Sequence, residues 1–172
     1  MITVVPFSEQ YLAGVLDVIL PIQRTEFGIP ITLEDQPDLM DIPGFYQRGD
    51  GNFWVALSDG EPVGTISLLD IGNDQAALRK MCVKTAHRGP GSGVSRLLLD
   101  ALLQWSISRG LKTILLGTTA SFLAAHRFYE KNGFTEVKKS ELPPAFPVMS
   151  VDTKFYRLDL TTWASSIKLG VQ

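Results

Sequence analysis

A mixed α/β fold, with a mostly antiparallel sheet and one parallel neighbour pair, is what this 172-residue sequence predicts. Three strand-like segments between residues 53 and 83 follow one another with very short connections, as in an antiparallel meander. An amphipathic helix then separates the third segment from another apolar strand, and a strand–helix–strand connection favours parallel pairing. A last helix and two more strands complete a single predicted domain over residues 1–172.

The N-terminal part combines a strand and an amphipathic helix with a proline-rich segment. Residues 2–6 are typical of a strand, and Ser8 is predicted to cap a helix whose apolar residues repeat at helical spacing. That helix is expected to end at about residue 25. Prolines interrupt any long helix in the 28–50 segment, so one or two short helices and a mobile loop are expected there.

Clear turn signals separate the strands of the meander. The Asp-Gly dipeptide at 59–60 joins strand 53–58 to strand 62–70 and is typical of a two-residue hairpin turn. A second turn at 71–74 leads into the third strand, at 76–83.

The second half of the chain alternates between helices and strands. A helix from about Gly91 to Arg109 has apolar residues at helical spacing, Gly110 ends it, and residues 113–117 form the next strand.

The last helix is predicted to begin at Ser121 as its cap and to end at Asn-Gly, residues 132–133. Strands 134–138 and 154–160 follow, and prolines keep the intervening 140–153 loop out of the sheet interior.

Bulk composition excludes several classes of function. The net charge of −2 gives no support for nucleic-acid binding, and no apolar run approaches the roughly 18 residues of a membrane span. The first residues lack the basic region and cleavage site of a signal peptide, so a cytoplasmic protein is expected.

Cysteine and histidine are too scarce for a disulfide or a metal site. The single cysteine, Cys82, lies in an apolar strand and is interpreted as a small buried side chain rather than a nucleophile. The two histidines stand far apart without a cluster of cysteines or carboxylates, so no metal is expected.

The segment Arg88-Gly89-Pro90-Gly91-Ser92-Gly93, between a strand and a helix, is typical of a phosphate-binding loop. Glycines let the backbone approach an anion, and a helix N-terminus offers unpaired N–H groups and the positive end of the dipole. A tight turn without a ligand is the alternative. A P-loop would need a lysine after the last glycine, and a dinucleotide loop would need a third glycine; both are missing here.

The pattern that remains, Arg-x-x-Gly-x-Gly, resembles the pyrophosphate loop of the GCN5-related N-acetyltransferases (GNAT), which hold acetyl-coenzyme A. A second stretch, residues 124–134, contains Tyr-x-x-x-Gly-Phe and resembles the later helix motif of that family. The resemblance covers roughly residues 50–160, and two motifs in the right order are more specific than either alone. It implies a sheet of about six to seven strands with about four helices, splayed at the central parallel pair.

The resemblance implies acetyl-coenzyme A as cosubstrate, held mostly by the main chain. The diphosphate is expected on the loop N–H groups and the Arg88 side chain, and the thioester carbonyl beside strand residues 81–83. The predicted cofactor-binding residues are Met81, Cys82, Val83, Arg88, Gly89, Gly91, Ser92, Gly93, Val94 and Ser121.

Tyr129 is the predicted catalytic residue, because it matches the tyrosine of the family motif. A phenol with a pKa near 10 stays protonated at neutral pH and can supply a proton to a leaving thiolate. Many members have an asparagine near the start of this helix; here it is absent, and Ser121 or Thr119 is expected to replace it.

The general base stays open, since strand 76–81 lacks the carboxylate that many members place there. The candidates are Glu26, Asp70, Asp152, His126 and a chain of water molecules. For the carboxylates a surface or capping role is the simpler interpretation, and for His126 a surface position.

The acceptor is expected to be a small-molecule or peptide amine that meets the 24–50 segment and the 140–153 loop. Five aromatic side chains either form an apolar wall there or close the core: Phe27, Phe45, Tyr46, Phe146 and Tyr156. Nothing selects among amino acids, peptides, polyamines, aminoglycosides and protein lysines.

The resemblance therefore predicts an acetyl-coenzyme A dependent N-acetyltransferase that acts by direct attack in a ternary complex. A non-catalytic acyl-coenzyme A binding module and a nucleotide-binding enzyme of another kind are the alternatives. Family members often dimerise, so a homodimer is a further expectation.

Overall fold

A seven-stranded sheet organises the fold in the computed structural model, which describes residues 1–89 and 91–163. The strands are β1 (Ile2–Pro6), β2 (Asn52–Ser58), β3 (Glu61–Gly72), β4 (Gln75–Val83), β5 (Thr113–Thr118), β6 (Thr135–Val137) and β7 (Lys154–Asp159). Their order is β1-β2-β3-β4-β5-β7-β6. The sheet is mostly antiparallel and β4–β5 is its parallel pair, which confirms the predicted fold class.

Among the described residues, five α-helices lie between these strands, and residues 160–163, after β7, are helical as well. The five helices are α1 (Leu12–Pro21), α2 (Pro37–Met40), α3 (Ile42–Phe45), α4 (Val94–Ser108) and α5 (Leu123–Lys131). A π-helical turn at Ile22–Glu26 extends α1, and 3₁₀ turns lie at Glu9–Tyr11, Thr85–His87 and Lys139–Glu141. In the part of the chain with described structure, no helix has both the length and the hydropathy that a bilayer crossing requires.

The chain divides into two compact units. The first comprises residues 1–69 and 79–105, and its core includes Ile19 and Phe53, both fully buried. The second comprises residues 70–78 and 106–172, with Ile114 of β5 buried in its core. That residues 1–172 form a single domain stays a prediction.

Both hairpin turns of the meander are two residues long. Asp59 and Gly60 have φ angles of 50° and 86°, so the predicted turn is confirmed. The second turn consists of Asn73 and Asp74, with φ angles of 55° and 59°, and is shorter than the predicted 71–74 segment. Asparagine and aspartate tolerate the left-handed region, so the residues before them remain in β3.

Helix α4 begins at Val94, three residues after the predicted start at Gly91. Gly93 has a φ of +70°, a left-handed conformation that cannot belong to a right-handed helix. The predicted end is confirmed, since Gly110 has a φ of +76° and its N–H donates to the carbonyl of Ile107 over 3.1 Å.

Two predicted serine caps are wrong. The chain enters α1 through a 3₁₀ turn, so Tyr11 and not Ser8 precedes that helix, and the Ser8 hydroxyl forms no cap bond. Helix α5 begins after Phe122, and the Ser121 hydroxyl lies 3.0 Å from that of Thr119. In both places the neighbouring backbone geometry outweighs the serine's preference for the cap position.

Helix α4 packs closely on β3 because residue 64 is a glycine. A Cβ atom there would lie 3.1 Å from Leu98 Cδ1, 3.3 Å from Val94 Cγ1 and 3.2 Å from the Cys82 carbonyl oxygen. These distances are tighter than ordinary carbon contacts of about 3.5–4.0 Å. Gly64 therefore sets how near the first turns of α4 lie to the strands beneath them.

Candidate acetyl-coenzyme A site and the Tyr129 motif

Strand β4 changes conformation at Lys80, whose φ of +52° is rare for a residue with a side chain. Before this point, the parallel ladder joins Gln75–Ala77 to Thr113–Leu115. The ladder ends at the pair Ala77 and Leu115, although β4 continues to Val83. This agrees with the predicted splay of the two parallel strands. Beyond Lys80, Met81 stays partly exposed, whereas Cys82 and Val83 are buried.

The glycines between β4 and α4 leave room for a ligand against the backbone. Gly89 and Gly93 have φ angles of +101° and +70°, and a Cβ atom placed on Gly91 would meet no atom of the described residues within 4 Å, its chain neighbours aside. Among the described residues, the N–H groups of Gly91, Gly93 and Val94 have no hydrogen-bond acceptor. An open glycine cradle at the first turn of a 15-residue helix fits a diphosphate.

Ser92 forms two hydrogen bonds within the loop. Both its N–H and its hydroxyl donate to the Gly89 carbonyl, over 3.2 and 3.1 Å. The side chain thus closes the loop on itself and does not cap α4. Its main-chain donor is used inside the loop, which leaves the neighbouring N–H groups for an anion.

Arg88 is held by two groups of the protein. Its Nε donates to the Val83 carbonyl over 2.6 Å, and its guanidinium forms a two-pronged ion pair with the Glu26 carboxylate. Both side chains are 35% exposed. Arg88 therefore fixes the end of β4 against the π-helical turn, and Glu26 is engaged as a salt-bridge partner, which argues against its use as a general base.

Cys82 is inert at neutral pH. Its side chain belongs to the core cluster of the first unit, and burial raises the pKa of the thiol to about 11. This supports the interpretation of Cys82 as a small buried side chain, because the thiolate is the reactive form.

Folded protein at pH 7.5 is expected to react with iodoacetamide far more slowly than a free thiol, because burial raises the pKa of Cys82 and keeps the thiol protonated. Mass spectrometry measures the labelling. The rate should rise with pH and become fast in urea. Rapid labelling of folded protein at pH 7.5 would show that the thiol is accessible and ionised.

In the second unit, the Tyr-x-x-x-Gly-Phe motif has a structural explanation. Gly133, with a φ of +93°, ends α5, and the N–H of Phe134 donates to the Tyr129 carbonyl over 3.0 Å. The rings of Phe134 and Tyr129 then pack edge to face, with centroids 5.4 Å apart. Tyr129 is 6% exposed, so the motif holds its ring in place while a little of its surface remains accessible.

His126 is buried, so the predicted surface position is wrong. Its side chain is 5% exposed, and its Nε2 lies 2.7 Å from the Thr119 carbonyl oxygen. The carbonyl can only accept, so Nε2 carries the hydrogen. The residue faces inward on α5 because it shares the buried side of that helix with Tyr129.

The remaining candidate bases have structural partners. Asp152 accepts a hydrogen bond from the Met149 N–H, and Asp70 accepts one from the Gly72 N–H, both over 2.9 Å. These contacts stabilise turns, which is the simpler role that the sequence suggested for both carboxylates. The geometry assigns no general base.

The predicted aromatic wall divides between the two units. Phe27 and Phe45 pack against the core of the first unit, and Tyr46 is fully buried within it. In the second unit Phe146 packs against Phe155, and Tyr156 is fully buried with its hydroxyl donating to Glu130 over 2.6 Å. Tyr46 and Tyr156 are therefore core residues, the second of the two roles predicted for these aromatic side chains.

Sequence reasoning missed a buried polar cluster in the first unit. Asp38 of α2 accepts a 2.6 Å hydrogen bond from the Tyr46 hydroxyl and lies 3.3 Å from Lys80 Nζ and 3.9 Å from Arg79. The sequence does contain a sign of this cluster. Arg79 and Lys80 are adjacent cations inside an apolar strand, and buried cations need a counter-charge.

The sequence model of the acetyltransferase (GNAT) family matches residues 16–134, more than half of the chain. The chain belongs to the GNAT family. Acyl transfer is the reaction of this family and acetyl-coenzyme A is its cosubstrate, so both predictions are confirmed at the level of the family.

Solved structures of GNAT proteins share the fold. A GNAT acetyltransferase from Staphylococcus aureus Mu50 is 36% identical, with a TM-score of 0.88 over 93% of this chain and 99% of that one. An acetyltransferase from Streptococcus agalactiae is 27% identical, with a TM-score of 0.87 over 92% of this chain and 98% of that one. A PaiA N-acetyltransferase from Thermoplasma acidophilum, solved with coenzyme A, has the same fold at 17% identity, with a TM-score of 0.70 over 92% of this chain and 99% of that one.

The chain is also similar to parts of longer proteins. N-acetylaspartate synthetase of Danio rerio is 33% identical over 106 residues, 60% of this chain and 37% of that protein. N-acetyltransferase family 8 member 2 of Rattus norvegicus is 33% identical over 104 residues, 58% of this chain and 45% of that protein. The GNAT chain described here thus spans less than half the length of these relatives.

Proposed function

We propose that this GNAT protein transfers an acetyl group from acetyl-coenzyme A to a primary amine by direct attack in a ternary complex. The observation that carries the proposal is the open glycine loop before α4, where Gly91 has no neighbour within 4 Å of a Cβ position. The acceptor is a small molecule or a peptide. Action in the cytoplasm and formation of a homodimer stay predictions.

The proposed binding residues act mainly through the backbone. The N–H groups of Gly91, Gly93 and Val94, together with the α4 dipole, hold the diphosphate. Gly89 and Ser92 shape the loop, and the contact expected from Ser121 stays a prediction. The main chain of Met81, Cys82 and Val83 lies beside the part of the cofactor that carries the thioester. Because this role belongs to the main chain, it does not depend on the apolar side chains of these residues.

The reaction needs few groups from the protein. Acetyl-coenzyme A supplies an activated thioester, in which the carbon–sulfur bond breaks as the carbon–nitrogen bond to the amine forms. The amine must reach the thioester without its extra proton. As the amide forms, the nitrogen gives up one further proton and the sulfur leaves as a thiolate that takes one up, so the step is balanced in protons. Tyr129 is proposed to donate that proton, on the strength of its position in the family motif.

Arg88 can bind the diphosphate only if its ion pair with Glu26 changes. Its guanidinium already binds Glu26, so a phosphate contact requires that this ion pair opens or is shared. Without such a change, Arg88 supports the site by fixing the Val83 carbonyl and thereby the end of β4.

Substitution of Gly91 tests the proposed loop. Wild-type protein with acetyl-coenzyme A at 100 times its Kd should gain about 2.7 kcal/mol of stability, or about 5–10 °C in melting temperature. Gly91→Leu should lose most of this gain, because the side chain would fill the cradle. Its unliganded melting temperature should stay within about 2 °C of wild type, since Gly91 has no unusual φ and no close neighbour.

Gly91→Ala is the matched control, because it adds only a Cβ atom and should retain an intermediate shift. ATP and NAD, tested in parallel, should not stabilise the protein. An equal shift with ATP, or an unchanged acetyl-coenzyme A shift in Gly91→Leu, would overturn the proposed loop. Binding without thiol release on any amine would instead favour a non-catalytic module.

A further inference from the structure

The buried cluster around Asp38 places a lysine ammonium in the first unit beside the strand residues proposed to hold the thioester arm. Lys80 keeps 11% of its side-chain surface exposed, and Asp38 keeps 6%. Lys80 directly precedes the Met81–Val83 stretch of β4. Asp38 lies in the 24–50 segment, from which acceptor contacts are expected.

Hydrogen bonds from β3 hold the backbone at Lys80 in an unusual conformation. Lys80 has a φ of +52°, and hydroxyl groups of β3 satisfy the carbonyls on this stretch: Thr65 donates to the Lys80 carbonyl and Ser67 to the Arg79 carbonyl, each over 2.7 Å. A strained backbone that its neighbours hold in place is often a feature of functional sites. These hydrogen bonds hold the backbone at Lys80, and the ion pair with Asp38 holds the ammonium.

The carboxylate that faces Lys80 is shared. The same Asp38 oxygen, Oδ2, accepts the Tyr46 hydroxyl hydrogen at 2.6 Å and lies 3.3 Å from the ammonium and 3.9 Å from the Arg79 guanidinium. An ammonium has three N–H donors, and among the described residues Asp38 is the acceptor that Lys80 reaches.

Among the described groups that act on the pKa of Lys80, Asp38 is the carboxylate that raises it, and Cys82 adds a smaller effect in the same direction. Burial lowers the pKa of Lys80; Asp38 opposes this effect, and Arg79 adds to it. Tyr46 and Cys82 stay neutral, because burial raises the pKa of both. A charge that is buried and only partly paired is unfavourable, and a second carboxylate at this place would relieve it.

We propose that the acceptor amine carries a carboxylate, and that this carboxylate pairs with the Lys80 ammonium. The inference rests on the proposed acetyl transfer and names its acceptor class. A free amino acid and the acidic N-terminal residue of a peptide share this chemistry. A polyamine, in contrast, would bring more positive charge to Lys80.

Matched acceptors test the proposal, with release of the coenzyme A thiol as the readout. The pairs are L-aspartate with L-asparagine, and L-alanine with L-alaninamide; tyramine serves as an amine without a carboxylate. At least one carboxylate-bearing member should have a kcat/KM about tenfold or more above its amide partner, as expected for a charged hydrogen bond. An amidated peptide that begins with aspartate distinguishes a peptide acceptor from a free amino acid.

Substitutions of Lys80 test whether this residue causes the preference for acceptors with a carboxylate. Lys80→Met should raise KM for the preferred acceptor about tenfold or more, with little change in kcat or in the Kd of acetyl-coenzyme A. Lys80→Arg keeps the charge and should recover much of the affinity. If Lys80 had only a structural role, Lys80→Met would lower the stability of the protein and its activity on all acceptors together, without a separate effect on KM.

The outcomes separate this inference from the proposed function. Equal use of amides and tyramine would overturn the acceptor class and leave acetyl transfer intact. Failure of every amine to release thiol, despite binding of acetyl-coenzyme A, would overturn both. An unchanged acceptor KM in Lys80→Met would overturn the assigned role of Lys80.

Discussion

Replacement of Tyr129 by phenylalanine is expected to lower kcat by about 100-fold or more, the usual range for loss of a general acid. The ring contacts should survive, because Phe128, Phe134 and Tyr156 surround the ring with centroid distances of 5.4–6.0 Å. The Kd of acetyl-coenzyme A should change by less than about twofold, since the phenol is needed only as the thiolate forms. Steady-state kinetics and a binding titration measure the two effects.

Tyr156→Phe is the matched control for this result. Tyr156 is a fully buried tyrosine of the same unit, with its ring centroid 6.0 Å from that of Tyr129, and its hydroxyl donates to Glu130. Burial and this hydrogen bond raise the pKa of Tyr156 far above its usual range, which makes it a poor proton donor. Its loss should leave kcat within about threefold of wild type. Equal losses in both variants, or equal loss of turnover and cofactor affinity in Tyr129→Phe, would show that the hydroxyl is structural.

Replacement of Asp38 by alanine is expected to destabilise the protein by about 3–5 kcal/mol, as when one partner of a buried ion pair is removed. The variant leaves the Tyr46 hydroxyl without its acceptor and Lys80 without the carboxylate that faces it. For a protein of this length the melting temperature should fall by roughly 6–20 °C. Thermal and urea unfolding measure the effect.

Asp41→Ala provides the comparison. Asp41 is an exposed neighbour whose side chain accepts the Gly44 N–H at the start of α3, and its loss should cost about 1 kcal/mol. Asp38→Ala combined with Lys80→Met should be less damaging than the sum of the two single changes, because the charges removed face each other. A cost for Asp38→Ala no greater than that for Asp41→Ala would show that the cluster is not a coupled unit.

The strands and the open glycine loop could be predicted because local chemistry determines their conformation. Asp-Gly at 59–60 allows few conformations other than a hairpin turn, and the glycines at 89, 91 and 93 have few uses other than an open loop before a helix. Alternation and helical spacing of apolar residues then placed β2, β3 and α4 within a few residues of their bounds.

The failures share a physical cause, which is that tertiary neighbours decide the outcome. Ser8 and Ser121 have the right chemistry for caps, but the backbone around them places the helix starts elsewhere. His126 was expected at the surface because a histidine is often solvated, and the side of α5 on which it lies is buried. The partnership of Asp38 with Lys80 joins residues 42 positions apart (80 − 38), which no local pattern reveals.

Gly64 has a consequence for how sequences of this fold can change over time. A methyl group at position 64 would lie 3.1–3.3 Å from Leu98, Val94 and the Cys82 carbonyl at once, so these neighbours would have to shift, and smaller side chains at 94 and 98 would relieve the crowding. The three positions therefore form one unit of substitution and should co-vary among related chains. Because Val94 and Leu98 lie in the first turns of α4, directly after the glycine loop, a change at residue 64 would also alter the position of the loop proposed to bind the diphosphate.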